Sequence, residues 1–334
     1  MRRATELAPH VARYWLTLGN AYNVVGDSDS RRHALITAAN ADPSNAEINW
    51  NVAVGFLAEG EVQSSLPYFR RAFAMDRHTI GSGASLLLRA SESVATVVSL
   101  LPPDAASRLN VLNTLVDQDN LPAAAAVWKE LLASGYSFSA RAALPYVNAL
   151  IRAGDAGTAL TAWEQLVAAQ PELRPFQQEH NLVFNPDFEH AILNGGFDWS
   201  YQPSAGVSVD LENSETGRAL RINFEGDPVA DCGISQVLAL QPNTTYELGA
   251  MQKSESLLGA NGPRFQVRNL KTHAVLFTGK EFRGTFAWQE SREVFRTGSE
   301  TQLAEIRLVR SPANTRIRGT IWLDHISLRA VRGE

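Results

Sequence analysis

Pro171-Glu-Leu-Arg-Pro-Phe-Gln-Gln-Glu-His180, followed by Asn181-Leu-Val-Phe-Asn-Pro-Asp-Phe-Glu189, is where this chain changes character. Upstream lie short, alanine-rich segments with apolar residues at helical spacing. Downstream, from Asn181, the apolar residues alternate with period two, and Gly, Pro and Asn break the runs. Two prolines stop helix propagation at the junction. The stretch lacks the Gly/Ser-rich composition of a free linker and carries Phe176, Leu182 and Phe184. It therefore predicts that the flanking parts pack here rather than float. The expected division is a helical domain over 1–179 and a β domain over 180–334.

The bulk numbers narrow the function. A chain of 334 residues can support two cores. A formal net charge of −5 argues against a general nucleic-acid or anionic-membrane binder. No run approaches the ~18–20 apolar residues of a membrane-spanning helix, so no insertion is expected within this chain. Met1-Arg2-Arg3 is not followed by an apolar run, so no signal peptide is expected either. The single cysteine, Cys232, excludes an intrachain disulfide and a cysteine-based zinc site. It reads as a small buried strand residue. The compartment stays open between cytoplasm and cell envelope.

Outward from the junction toward the N-terminus, the sequence repeats. Trp15, Leu18, Gly19 and Tyr22 follow the spacing W-x2-L-G-x2-Y, with Ala38 and Pro43 downstream. A shift of 34 residues places Asn49, Val52, Ala53 and Phe56 on the first set. It also places Gly60 on Gly26, Phe69 on Leu35 and Ala72 on Ala38. Small residues let paired helices approach, large ones fill the gaps between them, and the glycines suit the turn. Arg31 and Ser65 stand where alanine is expected. This array resembles the tetratricopeptide repeat (TPR), a helix-turn-helix unit of 34 residues. Ala4-Thr-Glu-Leu-Ala-Pro9 aligns with the end of such a unit, so a longer parent protein or lost upstream repeats are expected. Gly81-Ser-Gly83 reads as a loop start, Ala84 to Leu101 as helical, and Pro102-Pro103 as its end. A degenerate pair follows at a spacing of 35: Val116 with Ile151, Ala124 with Ala159, Trp128 with Trp163, Leu131 with Leu166. Both tryptophans read as core. The resemblance implies a groove for a protein or peptide partner. Asn20, Asn23, Asn49 and Asn51 are candidate groove residues, with ordinary solvated positions as the alternative.

In the β half, Ala219–Phe224, Thr245–Ala250, Arg264–Arg268 and Ala304–Arg310 each alternate apolar with polar residues. Turn signals separate them at Pro242-Asn243, at 259–263 and at Pro312-Ala-Asn314. Eight to ten half-buried strands predict an antiparallel sandwich. The whole is thus expected to be a multidomain α and β protein: an N-terminal α-α solenoid, then an antiparallel β-sandwich. The order of Asn185-Pro-Asp-Phe-Glu189, Gly195-Gly-Phe-Asp-Trp199, Ile234 to Asn243, Phe286-Ala-Trp288 and Gly319 to Leu328 resembles the jelly roll of carbohydrate-binding modules with the galactose-binding-like fold. It is also similar to β domains that follow TPR arrays in bacterial exopolysaccharide or envelope proteins. The resemblance implies a glycan ligand and an envelope or periplasmic setting. It further implies a structural calcium at Glu189 and Asp324, although the family's paired Asp is here Asp324-His325. A sugar site needs aromatic platforms and planar polar side chains. The stacking candidates are Trp199, Tyr201, Trp288 and Trp322; Trp288 matches a position that is usually structural in the family and so reads as core rather than as a ligand contact. The hydrogen-bonding candidates are Gln236, Arg264, Gln266 and Arg310. If Phe265 and Val267 face the core, Arg264 and Gln266 face out together. Trp322 has the opposite parity to Ile321 and Leu323, which predicts an exposed face.

His-Glu-x-x-His, Gly-x-Ser-x-Gly and Walker-type glycine motifs are absent, and the seven histidines lack metal-ligand spacing. The carboxylates of the β half show no marked glycosidase pair. A non-catalytic binding protein is therefore expected, with no cofactor beyond the calcium. The alternatives are a pure interaction scaffold without a sugar ligand, or a hydrolase with an unrecognised site.

Overall fold

The computed structural model describes residues 1–90, 93–214, 217–312 and 315–331. Ala313 and Asn314 of the third turn signal lie outside them. The chain divides into two compact units, Met1–Tyr146 and Val147–Glu334.

The first unit is a run of helical hairpins: α1 (Arg2–Leu7), α2 (Ala12–Val25), α3 (Ser28–Ala41), α4 (Ala46–Ala58), α5 (Val62–Met75), α6 (His78–Arg89), α7 (Val94–Leu100), α8 (Ala105–Asp117), α9 (Leu121–Ala133) and the first half of α10 (Ala140–Ala153). Side-chain caps set several starts. Asp27, Asn45, Asp104 and Asn120 each accept the backbone N–H three residues on, at 3.1, 3.1, 2.7 and 3.3 Å. Gly26 ends α2 in the left-handed region at φ 72°, which the repeat spacing anticipates. Ala38, Ala53 and Ala72 are fully buried between helices beside Phe56 and Phe69.

Gly81 and Gly83 do not open a loop; they lie inside α6. A Cβ on Gly83 would stand 2.5 Å from the Phe73 ring, and one on Gly81 would stand 2.3 Å from Thr114 Oγ1. The glycines are there for close helix contact, a use that local sequence cannot separate from a turn. Arg31, at an alanine position of the repeat, is only 7% exposed. Its guanidinium donates to Asn23 Oδ1 (2.8 Å), Glu59 Oε1 (2.5 Å) and the Gly55 carbonyl (3.3 Å). A buried charge survives there because it is paired and hydrogen-bonded.

The second unit contains the rest of α10, α11 (Ala156–Ala169), a 3-10 turn over Pro171–Phe176, and a sandwich of two antiparallel sheets. Asp155 caps α11 by accepting from Thr158 N at 3.1 Å. The strands are β1 (Trp199–Tyr201), β2 (Val207–Ser214), β3 (Gly217–Pro228), β4 (Asp231–Ala239), β5 (Thr245–Gly259), β6 (Arg264–Asn269), β7 (Val275–Thr278), β8 (Gly284–Arg296), β9 (Leu303–Val309) and β10 (Arg316–Ala330). The first sheet has the order β1-β4-β9-β6-β7 and the second β2-β3-β10-β5-β8. Alternation explains the core. Leu220, Ile222 and Phe224 of β3, Phe265 and Val267 of β6, and Ile321 and Leu323 of β10 meet between the sheets.

The junction stretch is bonded into this sandwich. Leu182 N donates to the Leu328 carbonyl (3.0 Å) and Ile326 N to the Pro186 carbonyl (2.8 Å). Trp163 of α11 meets Phe184 at 4.8 Å and Phe197 at 6.1 Å between ring centroids. Phe176 stacks on Phe184 (5.2 Å) and His190 (4.1 Å). Trp163 is core as expected, at 4% exposure, and its ring neighbours come from the sandwich segment. Gly196 N adds a 2.7 Å hydrogen bond to Asn148 Oδ1.

Candidate functional site

The sandwich presents its best-formed aromatic surface on the outer face of the second sheet. Trp322 sits in the middle of β10, with buried Ile321 and Leu323 on either side. Its neighbours across the ladders are Arg221 on β3 and Lys253 on β5. The indole Nε1 donates to Glu212 Oε2 at 3.0 Å, and Arg221 Nε reaches the same oxygen at 3.3 Å. Lys253 Nζ lies 4.8 Å from the Trp322 ring centroid, within cation–π range. These contacts hold the ring in one orientation. Trp288 of edge strand β8, half-buried, closes the other side. Together Glu212, Asn213, Ser214, Lys253, Trp288 and Trp322 line a cleft of about 390 Å³. Two aromatic rings flanked by carboxylate, amide, hydroxyl and ammonium groups offer a stacking face and hydrogen bonds in both senses.

The other expected site residues do not join this cleft. Trp199 is 2% exposed; its ring packs against Phe188 at 5.3 Å and its Nε1 donates to the Asn185 carbonyl at 3.1 Å. It is a core residue, because β1 turns it toward the sheet interface. Gln236 is also core, at 1% exposure. Its amide accepts from Phe184 N (3.0 Å) and donates to Phe184 O (2.8 Å), acting as a strand neighbour for the junction stretch. Tyr201 is half-buried against the core on β1, at the edge of the first sheet.

Arg264 and Gln266 do face out together, while Phe265 and Val267 are buried. They lie on the first sheet, and so on the opposite face of the sandwich from Trp322. Arg264 pairs with Glu281 there. Burial works to raise the Glu281 carboxyl, but hydrogen bonding from Arg283 and the Arg264 charge hold it below its usual range. Arg310 is 3% exposed and serves the loops: it donates to the carbonyls of Asn261, Val229 and Thr315 at 2.7–3.1 Å. Burial lowers its affinity for its proton.

Glu189 and Asp324, the pair that the resemblance implies for calcium, are each engaged by protein groups. Glu189 Oε1 accepts from Arg218 N at 2.7 Å. Asp324 Oδ1 accepts from His325 N (2.7 Å) and lies 2.9 Å from His325 Nδ1. His325 has φ 49° at a bulge that turns its backbone N–H and ring nitrogen onto the Asp324 carboxylate. Among the described residues no group of three or more His, Cys, Asp or Glu side chains is placed to hold a metal ion; Ca²⁺ takes six to eight oxygens and draws on backbone carbonyls as well. Cys232 is fully buried and its thiol is pushed up to about 12 by desolvation, as suits an inert strand residue.

In the helical unit, Asn49 is 0% exposed and donates to the carbonyls of Pro43 (3.0 Å) and Asn45 (2.8 Å). It replaces a repeat tryptophan and ties down a turn, so it is not a groove residue. Exposed Asn23 holds Arg31, and exposed Asn51 donates to the Glu47 carbonyl at 2.7 Å. Asn20 is exposed on α2. No helix among the described residues is long and apolar enough to cross a membrane.

Parity anticipated the outward face of Trp322; Trp288, which the family position marks as structural, is half-buried at this cleft, and Glu212, Asn213, Ser214 and Lys253 carried no signal. The Trp322–Lys253 neighbourhood depends on strand order, and the local sequence carries no sign of it.

No family model matches the sequence, and no curated protein matches it. Solved structures do. A CBM4 module is 15% identical, with 45% of this chain covering 99% of that one at a TM-score of 0.35. A family 16 carbohydrate-binding module is 24% identical, with 44% covering 99% at 0.32. YrrB, a TPR protein with an unusual peptide-binding site, is 14% identical, with 51% covering 92% at 0.26. The chain is thus similar to carbohydrate-binding modules over its C-terminal half and to a TPR protein over its N-terminal half.

Proposed function

We propose that this is a non-catalytic binding protein whose sandwich takes a glycan in the cleft between Trp288 and Trp322. The observation that carries the reading is the pair of tryptophans lining one cleft with Lys253, Glu212, Asn213 and Ser214. A pyranose presents an apolar C–H face to an aromatic ring and a rim of hydroxyls to planar polar groups. The cleft supplies both. The ring of Trp322 is held by Glu212 and Lys253 before any ligand arrives, which lowers the ordering cost of binding. Glu212 is engaged with an indole N–H and a guanidinium, a positioning role rather than that of a general acid. The helical hairpins offer the protein-binding part of the role, and the exopolysaccharide or envelope setting follows from the sequence resemblance alone.

A glycan array probed with the full chain tests this. Binding to a defined set of glycans, lost in Trp288→Ala and Trp322→Ala while the melting temperature falls by no more than about 2–4 °C, is the expected result. An array with no bound glycan, alongside a specific protein partner, would favour the pure scaffold.

A further inference from the structure

Another cleft of the second unit, about 1160 Å³, lies elsewhere. Ala156 and Leu160 of α11 form one wall. The stretch 177–182 forms another, and Leu240, Gln302 and the end of β10 form the third. Its floor is aliphatic. Leu182 stays 44% exposed there, Tyr246 is 2% exposed with its hydroxyl accepting from Gln241 N at 2.8 Å, and the other ring of the lining, the His180 imidazole, lies beside Glu179. The lining offers a sugar no exposed Trp, Tyr or Phe ring to stack on.

The edge of β10 shows what kind of chain fits. Val331 N donates to the Thr245 carbonyl at 2.9 Å, so 331 and 245 form a hydrogen-bonded pair on the β5 side. Main-chain groups alternate in direction along an antiparallel strand. Those of Leu328 therefore point away from β5. Their partners are Asn181 Oδ1, which accepts from Leu328 N at 2.9 Å, and Leu182 N, which donates to Leu328 O at 3.0 Å. Ala330, two residues on and part of the cleft lining, points its N–H and C=O the same way. The junction stretch has left that edge by then, since His180 turns at φ 62°.

Charge adds the selectivity. The chain as a whole is net −5, yet Arg174 and Arg329 stand in this cleft. The one carboxylate of the lining, Glu179, lies 3.4 Å from His180 Nε2.

We infer that this cleft docks an extended acidic peptide from a partner protein. The peptide continues the strand row at Ala330, sets an aliphatic side chain on Leu160 and Leu182, and places carboxylates on Arg174 and Arg329. Backbone pairing supplies affinity and the side-chain contacts supply choice, as in other strand-addition complexes. The inference is independent of the glycan cleft.

The test is to pan a display library of random ten-residue peptides on the immobilised full chain, then to measure the enriched peptides by fluorescence polarisation. The expected sequences combine Asp or Glu with Leu, Ile or Val. Leu182→Asp and Arg329→Glu, both at exposed positions, should each weaken binding about tenfold or more, and Trp322→Ala should leave it unchanged. No enrichment, basic enriched sequences, or full binding in both variants would overturn the inference. So would polygalacturonate binding that those variants abolish with no peptide enriched, which would assign the cleft to an anionic glycan.

Discussion

Trp199 and Trp322 have the same side chain and opposite fates, and the difference lies in what surrounds them. Trp199 gives its indole N–H to a buried carbonyl and its faces to the core. Trp199→Ala should therefore cost about 3–5 kcal/mol, the range for emptying a large core site. Trp322 is half-buried on a sheet face, with a cation–π contact worth about 0.5–1 kcal/mol at exposed sites. Trp322→Ala should cost about 1 kcal/mol. Urea unfolding of the two variants separates them; equal midpoints would contradict the placement. Parity indicated the exposed position of Trp322, because Ile321 and Leu323 flank it. No such signal existed for Trp199, which starts a strand of three residues after an irregular loop. Gln236 is a related case: a polar side chain in a strand suggests a solvent-facing position, whereas its main-chain partner, 52 residues away, lies in the core.

At the level of elements, the repeat turns and strand alternation were legible because both are local. Gly26 and Gly60 stand in the left-handed region where the repeat spacing puts the turn between helices. The strand order was not legible, since β9 sits between β4 and β6 and β10 between β3 and β5. That order puts Arg264 and Gln266 on one face of the sandwich and Trp322 on the other. The cap of α11 makes a pH prediction. Hydrogen bonds from Thr158, side-chain and backbone, hold the Asp155 carboxyl below its ordinary value of 3.8. A group whose folded pKa is depressed contributes stability that is complete above the ordinary value and lost as pH falls through the folded one. Asn caps a helix about as well as Asp and does not titrate. Asp155→Asn should match the parent within about 0.5 kcal/mol at neutral pH and show a shallower loss of melting temperature below about pH 4. An equally steep acid loss in the variant would count against the assignment.

For the whole molecule, the division between units falls inside α10, upstream of the point where helix gives way to strand. Trp163, Phe176, Phe184, Phe197 and His190 form one aromatic cluster across that change. The sequence marked the junction stretch as packed through its aromatic residues, but it gave no ring partner for Trp163. A fragment over 147–334 should melt cooperatively. One over 180–334, which lacks Trp163 and Phe176, should melt at lower temperature by circular dichroism; identical melting would show that the cluster contributes nothing to the sandwich.

The central claim is that Trp288 and Trp322 form one glycan platform. Affinity electrophoresis of the full chain through gels cast with single polysaccharides tests it most directly. The account predicts that at least one polysaccharide retards the parent chain. It also predicts that Trp288→Ala and Trp322→Ala each weaken retention about tenfold, since aromatic stacking contacts of about 0.5–3 kcal/mol set the scale, while Arg264→Ala on the opposite face is retarded as much as the parent, each relative to its own mobility in a gel without polysaccharide. Retention lost in Arg264→Ala but kept in both tryptophan variants would contradict it.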